Sequence, residues 1–311
     1  MEALQKIEKP GLVLKEGLDS LMSGFLLAQD VSAKSKESYK RALRQFFKYA
    51  AENCLVNFSR LDILEYKNHL VNREYSAYTV THYITSVRKF FEWTESEKIY
   101  PNIAKSVKGA KQPKGFRKES LTVEQVKRVL NSVDRSTLQG KRDFSLLRLL
   151  ITTGLRTIEL VRADIFDLVQ EGGEAILYIQ GKGRQSKDDF VLLPEETLNP
   201  IREYLTARKT ISEKEPLFVS MSDRNNGQRL TTRSISRMVK NYLIGAGLDS
   251  IKLSAHSFRH TAVTLSLLGG ASLQEAQTMA RHANINTTLV YAHNIDRVKN
   301  AAERKIDALL V

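Results

Sequence analysis

A single cysteine, Cys54, stands in a chain of 311 residues. One thiol excludes an intrachain disulfide, and it is too isolated to be a metal site. Cys54 is expected to pack as a small apolar residue. No apolar run approaches the ~20 residues that a membrane-spanning helix needs. The opening residues, MEALQKIEKP, lack the charged-then-apolar pattern of a secretory signal. There is no GxxxxGK(S/T) loop to cradle a nucleotide, and no cysteine, histidine or carboxylate cluster with metal-ligand spacing. Acidic residues are the remaining shortage. They number 35 against 48 Lys and Arg, leaving a net charge of +13. An excess that large favours a polyanionic partner, either nucleic acid or an acidic membrane surface. These absences point to a cytosolic chain that faces nucleic acid, with no membrane partner.

What is present is an ordinary globular composition, 42% hydrophobic and 27% charged. The length suggests two domains. Helical periodicity begins at Gly17, where Leu18, Leu21, Met22, Phe25 and Leu26 recur three and four residues apart. Ser35 is placed to cap a second helix with a stripe of Tyr39, Leu43, Phe46, Phe47 and Ala50. Lys34, Lys36, Lys40, Arg41 and Arg44 share those turns and are candidate DNA contacts. A third helix follows Ser59, using Leu61, Ile63, Leu64 and Leu70. A fourth runs through Val80–Trp93, burying Tyr83, Ile84, Val87, Phe90 and Phe91. No alternating strand pattern precedes residue 105, so residues 1–105 are expected to form an all-α domain.

Residues 106–120 read as a basic linker. Lys105, Lys108, Lys111, Lys114, Arg117 and Lys118 occur with no acidic residue among them, and Gly109, Pro113 and Gly115 disfavour a helix. A solvated linker is the bland reading. Between two basic domains, a tether across phosphates is preferred, with Lys108, Lys111 and Lys114 as contacts.

The second domain, 121–311, starts on a capping box at Thr122 and Gln125. A helix to about residue 133 follows. Another over about 142–152 should stop at Gly154, with a restart near Thr157. AILYIQ (175–180) and FVLL (190–193) read as strands flanking a polar loop, GKGRQSKDD. Helices are expected at about 195–209, 232–245, 257–268 and 272–280, with an amphipathic terminal helix over 295–310. The whole is mainly α with a small antiparallel β-sheet.

Four separated pieces of this half stand out: TTGLRTIEL (152–160), IQGKGRQSK (179–187), AHSFRHT (255–261) and RHANINTTLVYAH (281–293). Together, in this order, they resemble the tyrosine recombinase family, the phage-integrase and Xer-type enzymes. Residues 1–105 then resemble its helical core-binding domain, and 121–311 its α+β catalytic domain. An arginine at a helix start, a lysine in a hairpin loop or a histidine on a helix is ordinarily a surface or structural residue. The resemblance gives these particular ones roles. Arg156 and Arg259 match the two arginines that clamp the phosphodiester. Glu159 would orient one of the basic side chains. Lys182 matches the hairpin lysine that protonates the leaving 5′ oxygen, with Arg184 (also a candidate DNA contact) and Lys187 as rivals in the same loop. His256 would contact the phosphate and help remove the tyrosine proton. His282 matches a histidine-or-tryptophan position, although relatives often carry Leu-Gly before it where this chain has Ala280-Arg281. His260 reads as structural support. Tyr291 matches the nucleophile, a phenol whose ordinary pKa of about 10 keeps it protonated at neutrality.

The resemblance implies attack by Tyr291 on DNA, a 3′-phosphotyrosyl intermediate and a free 5′-hydroxyl, with no cofactor and no metal. It also implies double-stranded DNA bearing a specific recombination site as substrate. A homo-tetramer would exchange strands through a Holliday junction, and helix 295–310 would either dock on a neighbouring protomer or pack on its own domain. Integration or excision of a mobile element and Xer-like dimer resolution are the candidate tasks. A type IB topoisomerase would share the chemistry, and a catalytically inert DNA-binding protein would share the composition.

Overall fold

In a computed structural model, residues 17–310 are described apart from 56, 112–118, 182, 210–211 and 300–301. The chain divides into two compact units, 1–115 and 116–311.

Among its described residues the first unit holds four helices: α1 (Gly17–Ala28), α2 (Ala33–Glu52), α3 (Arg60–Asn72) and α4 (Ala77–Ser96). Its core is aromatic. Phe25, Phe46, Phe90, Phe91 and Tyr66 are almost wholly buried, and their rings meet largely edge-on, as with Phe46 on Tyr66 at 5.1 Å and 70°. Helix α2 starts two residues earlier than the expected cap, because Ser32 rather than Ser35 accepts the first free amide. That start puts Lys34, Lys36, Lys40, Arg41 and Arg44 all on α2, with Lys34, Arg41 and Arg44 exposed. Two apolar assignments on α3 are corrected: Leu61 is 69% and Leu64 36% exposed, because Ile63, Tyr66 and Leu70 fill its inner face. Cys54 is also corrected. It lies exposed at φ 52° in the turn after α2 rather than in the core.

The basic stretch after α4 begins as part of this unit. Val107 is 2% exposed in the aromatic core, and the Thr81 hydroxyl donates to the Ala110 carbonyl at 3.3 Å. Lys108 and Lys111 project outward. Lys114 lies outside the described residues.

The second unit is α+β. Helix α5 (Val123–Asn131) starts on the Thr122–Gln125 capping box. Helix α6 (Leu138–Thr153) runs through the core with Leu146, Leu147, Leu149 and Leu150 buried. It packs against α8 (Glu195–Arg208) and α10 (Ala255–Leu268). A short α7 (Thr157–Arg162) leads into three antiparallel strands in the order β1 (Leu168–Glu171), β2 (Glu174–Ile179) and β3 (Asp189–Leu192). Ala175, Leu177, Ile179 and Val191 turn inward to the core. Strand β1 was not anticipated from sequence; its four residues, LVQE, are too few to show alternation. It pairs through a two-residue turn, Gly172-Gly173, both at positive φ (59° and 86°), which a hairpin of this length requires. Helix α9 (Thr232–Gly245) spans the expected residues. Then come α11 (Leu273–Ala280), α12 (Asn286–Lys299) and α13 (Ala302–Leu310). The terminal helical region therefore begins nine residues before the expected 295 and takes Tyr291 onto α12. Among the described residues no helix is long and apolar enough to cross a membrane.

Gly154 ends α6 in the left-handed region at φ 61°, and a Cβ there would stand 3.3 Å from the Ala262 methyl on α10. Both features require glycine. Gly154→Ala is expected to cost about 1–2 kcal/mol from the backbone alone, read as a lower urea midpoint in equilibrium unfolding.

Candidate active site

Side chains from three stretches far apart in sequence converge at the end of α6. Gly154 turns the chain so that Arg156 becomes the residue before α7 and Glu159 lies in its first turn. Glu159 is completely buried. One carboxylate oxygen accepts from Arg156 Nη1 at 2.7 Å. The other accepts from the Arg156 amide at 2.8 Å and from Arg281 Nη2 at 3.1 Å. A buried carboxylate persists only with such partners. Arg281 caps α11 at φ 54°, and its other terminal nitrogen donates to the Met279 carbonyl at 2.7 Å. That left-handed geometry suits a glycine better than an arginine. The side chain occupies it while tied to Glu159, 122 residues away in sequence.

Helix α10 supplies the second basic group. Arg259 is 3% exposed. Its guanidinium donates to the Gly154 carbonyl at 2.7 Å and to the Ala280 carbonyl. These bonds clamp α10 between the end of α6 and the end of α11. Two donors are so used, and a guanidinium has five. Burial lowers Arg259 most, followed by the charges of Arg156 and Arg281, to a pKa of about 10. It therefore stays cationic at neutral pH.

The imidazoles and the phenol complete the cluster. His256 is exposed, one turn before His260 on α10, and their rings meet edge to face at 4.8 Å. His282 follows α11, and its Nδ1 is hydrogen-bonded to Thr288 Oγ1 at 2.9 Å. Tyr291 is 5% exposed and packs with Val263 and Ala280. Its ring stacks on His282 at 6.3 Å and 19°. Its hydroxyl is hydrogen-bonded to Nδ1 of His260 at 2.5 Å. Burial pushes His260 down to about 4, helped by the charges of His256, Arg259 and His282. His282 is held at about 4 by burial and then by Arg259, Arg156 and Arg281. Burial raises Tyr291 to about 12 against the opposing pull of Arg259. At neutral pH the site therefore keeps the phenol and both of these imidazoles uncharged among fixed guanidiniums.

Arg156, Glu159, His256, Arg259, His282 and Tyr291 thus gather in one place. Lys182 lies outside the described residues. Its rivals in the hairpin are committed elsewhere: Arg184 pairs with Asp188 at 2.8 Å, and Lys187 with Asp164 at 2.7 Å and Asp167 at 2.5 Å. Burial works against the Lys187 charge, but the bonds to Asp164 and Asp167 outweigh it and raise its pKa. Sequence reading missed the part Arg281 plays and placed His260 only as support. The signal for Arg281 was a charged residue at a turn where a small one is usual. Among the described residues, no group of three or more His, Cys, Asp or Glu side chains could hold a metal ion.

Comparison with known proteins gives the chain its relatives. The phage integrase family model matches residues 119–297, and the phage integrase N-terminal SAM-like domain matches residues 18–98. Tyrosine recombinase XerC of Escherichia coli O157:H7 is 30% identical over 261 residues, covering 82% of this chain and 84% of its own. Tyrosine recombinase XerD of Oceanobacillus iheyensis is 27% identical over 288 residues, covering 90% and 94%. Among solved structures, the XerH site-specific recombinase in a post-cleavage complex with a palindromic difH substrate has a TM-score of 0.72 at 24% identity, covering 92% of this chain and 84% of that one. A lambda integrase dimer bound to a COC′ core site has a TM-score of 0.68 at 16% identity, covering 87% and 96%. At these identities the two structures speak for the fold.

Two outcomes follow from the buried charges. Glu159→Ala leaves the buried Arg281 guanidinium unpaired and is expected to cost about 3–5 kcal/mol in urea unfolding. His260 and His282 titrate near 4 when folded, against an ordinary 6.5. The unfolded chain then binds more protons, so stability is expected to fall as pH drops from 6.5 to about 4. The fall should shrink in His260→Asn, which removes one of the two groups.

Proposed function

The chain belongs to the phage integrase family of tyrosine recombinases, the strand transferases of site-specific DNA recombination, and on that premise we propose that Tyr291 is its nucleophile in a cleavage and rejoining reaction on duplex DNA. The observation that carries this reading is the meeting of Arg156, Arg259, His282 and Tyr291 from separate segments at the end of α6, where Glu159 ties Arg156 to Arg281 and Arg259 binds the Gly154 carbonyl.

Tyr291 Oη attacks the phosphorus and forms a 3′-phosphotyrosyl bond, and the P–O5′ bond breaks. Arg156 and Arg259 bind the non-bridging oxygens, whose charge grows toward the pentavalent transition state. Glu159 holds Arg156, while the Gly154 and Ala280 carbonyls hold Arg259, so neither fork is ordered anew when DNA arrives. Exposed His256 contacts the phosphate. Lys182 protonates the leaving 5′ oxygen; the commitment of Arg184 and Lys187 to carboxylates supports choosing it. A 5′-hydroxyl from a second strand reverses the step. The phosphoryl bond is conserved throughout, so no nucleotide cofactor is consumed. Lys34, Lys36, Lys40, Arg41 and Arg44 on α2, together with Lys108, Lys111 and Lys114, supply backbone contacts, and a specific recombination site is the substrate.

The reaction proceeds in a homo-tetramer through a Holliday junction, in the cytoplasm. The task is integration or excision of a mobile element, or Xer-like dimer resolution. Ile306 at 58%, Leu309 at 85% and Leu310 at 80% exposed on α13 support docking of that helix on a second copy of the chain.

Tyr291→Phe is expected to abolish the covalent adduct on a nicked suicide substrate while leaving DNA affinity intact; an adduct from that variant would overturn the assignment. Lys182→Ala should slow cleavage of ordinary DNA about 10²–10³-fold. It should be restored on DNA whose scissile 5′ oxygen is sulfur, a leaving group that needs no proton. Efficient relaxation of a plasmid without a recombination site would favour the topoisomerase reading instead.

A further inference from the structure

The phenolic proton has a defined place to go. Tyr291 Oη and His260 Nδ1 are 2.5 Å apart. The phenol is protonated in the free protein, so it donates, and Nδ1 presents its lone pair. His260 is itself 9% exposed and Tyr291 5%, which excludes bulk water as the competing base at this contact. The neighbouring imidazoles are disposed differently. His282 offers Tyr291 the face of its ring, and its Nδ1 is engaged by Thr288. His256, to which the family resemblance gives a share in removing the proton, is exposed, whereas His260 is buried with the phenol.

We propose that His260 is the general base of cleavage: its Nδ1 takes the Tyr291 proton as Oη bonds to phosphorus, and returns it to the phenolate when the strand is rejoined. The inference rests on Tyr291 being the nucleophile. The atoms balance. Oη–H breaks and Nδ1–H forms. Oη–P forms and P–O5′ breaks, its electron pair going to the 5′ oxygen, which is protonated separately.

In the free protein the proton stays on the phenol, because burial and the Arg259 charge oppose an imidazolium at His260. A seated phosphodiester changes both partners. Its anion offsets the guanidinium charge, and the phenol oxygen loses basicity as its bond to phosphorus forms. The nucleophile is thereby activated only when DNA occupies the site.

The test is single-turnover cleavage of a suicide substrate at saturating DNA, with affinity measured separately. His260→Phe keeps the ring volume and loses Nδ1. It is expected to cleave about 10²–10³-fold more slowly at unchanged affinity. Placing a fluorinated, more acidic tyrosine at position 291 should restore most of that loss, yet change the wild type little. His260→Asn can accept the hydrogen bond but cannot take the proton, and should stay slow. It also carries the test should the phenylalanine variant fail to fold. Wild-type or faster cleavage by His260→Phe overturns the proposal. So does wild-type cleavage by His260→Asn, which would mark a merely structural bond, and so does a defect that the acidic tyrosine does not selectively relieve. Failure of the nucleophile assignment shows separately, as a covalent adduct formed by Tyr291→Phe.

Discussion

A carboxylate with no exposed surface, Glu159, underlies the geometry of this site. Burying one charge is costly, and the cost is met by two guanidiniums that arrive from opposite ends of the catalytic unit. Arg156 precedes α7, and Arg281 caps α11. Glu159 therefore joins the segment bearing the first arginine to the segment leading into His282 and α12. Arg259 performs the same service with neutral partners, spanning the ends of α6 and α11 through two backbone carbonyls. The site is thus held by the side chains that also make its charge.

That charge governs the protonation of everything else. Cations crowded into a buried corner disfavour further cations, so His260 and His282 are kept neutral. Burial alone disfavours a phenolate, so Tyr291 keeps its proton despite Arg259 beside it. A resting site of neutral phenol and neutral imidazoles among fixed guanidiniums is chemically quiet. On the proposed reading, a phosphodiester is the further anion that these guanidiniums meet.

Local signals account for much of what could be read before the fold was known. The Thr122–Gln125 capping box, the stop at Gly154 and the limits of α9 depend on contacts within a few residues, and they came through intact. Spacing along α10 and the four motifs placed the arginines, histidines and tyrosine together. Failures arose where a distant partner or a solvent boundary decides. Leu61 and Leu64 have the spacing of a buried stripe, but Tyr66 and its ring neighbours take that space. Cys54 has the composition of a core residue and the backbone of an exposed turn. The four residues of β1 carry no pattern of their own and become a strand by pairing with β2.

By itself, then, the amino-acid order singled out the candidate residues for the chemistry, because motif spacing and helical period are properties of neighbours in the chain. It determined the two-part, mostly helical architecture for the same reason. Tertiary structure alone decided who touches whom: that Glu159 binds Arg281 across 122 residues, and that the Tyr291 hydroxyl meets His260. Those contacts arise from the packing of α7, α10, α11 and α12 about the end of α6. Hydrogen bonding and charge act over a few ångströms of space, and the sequence measures no such distance between residues far apart along it.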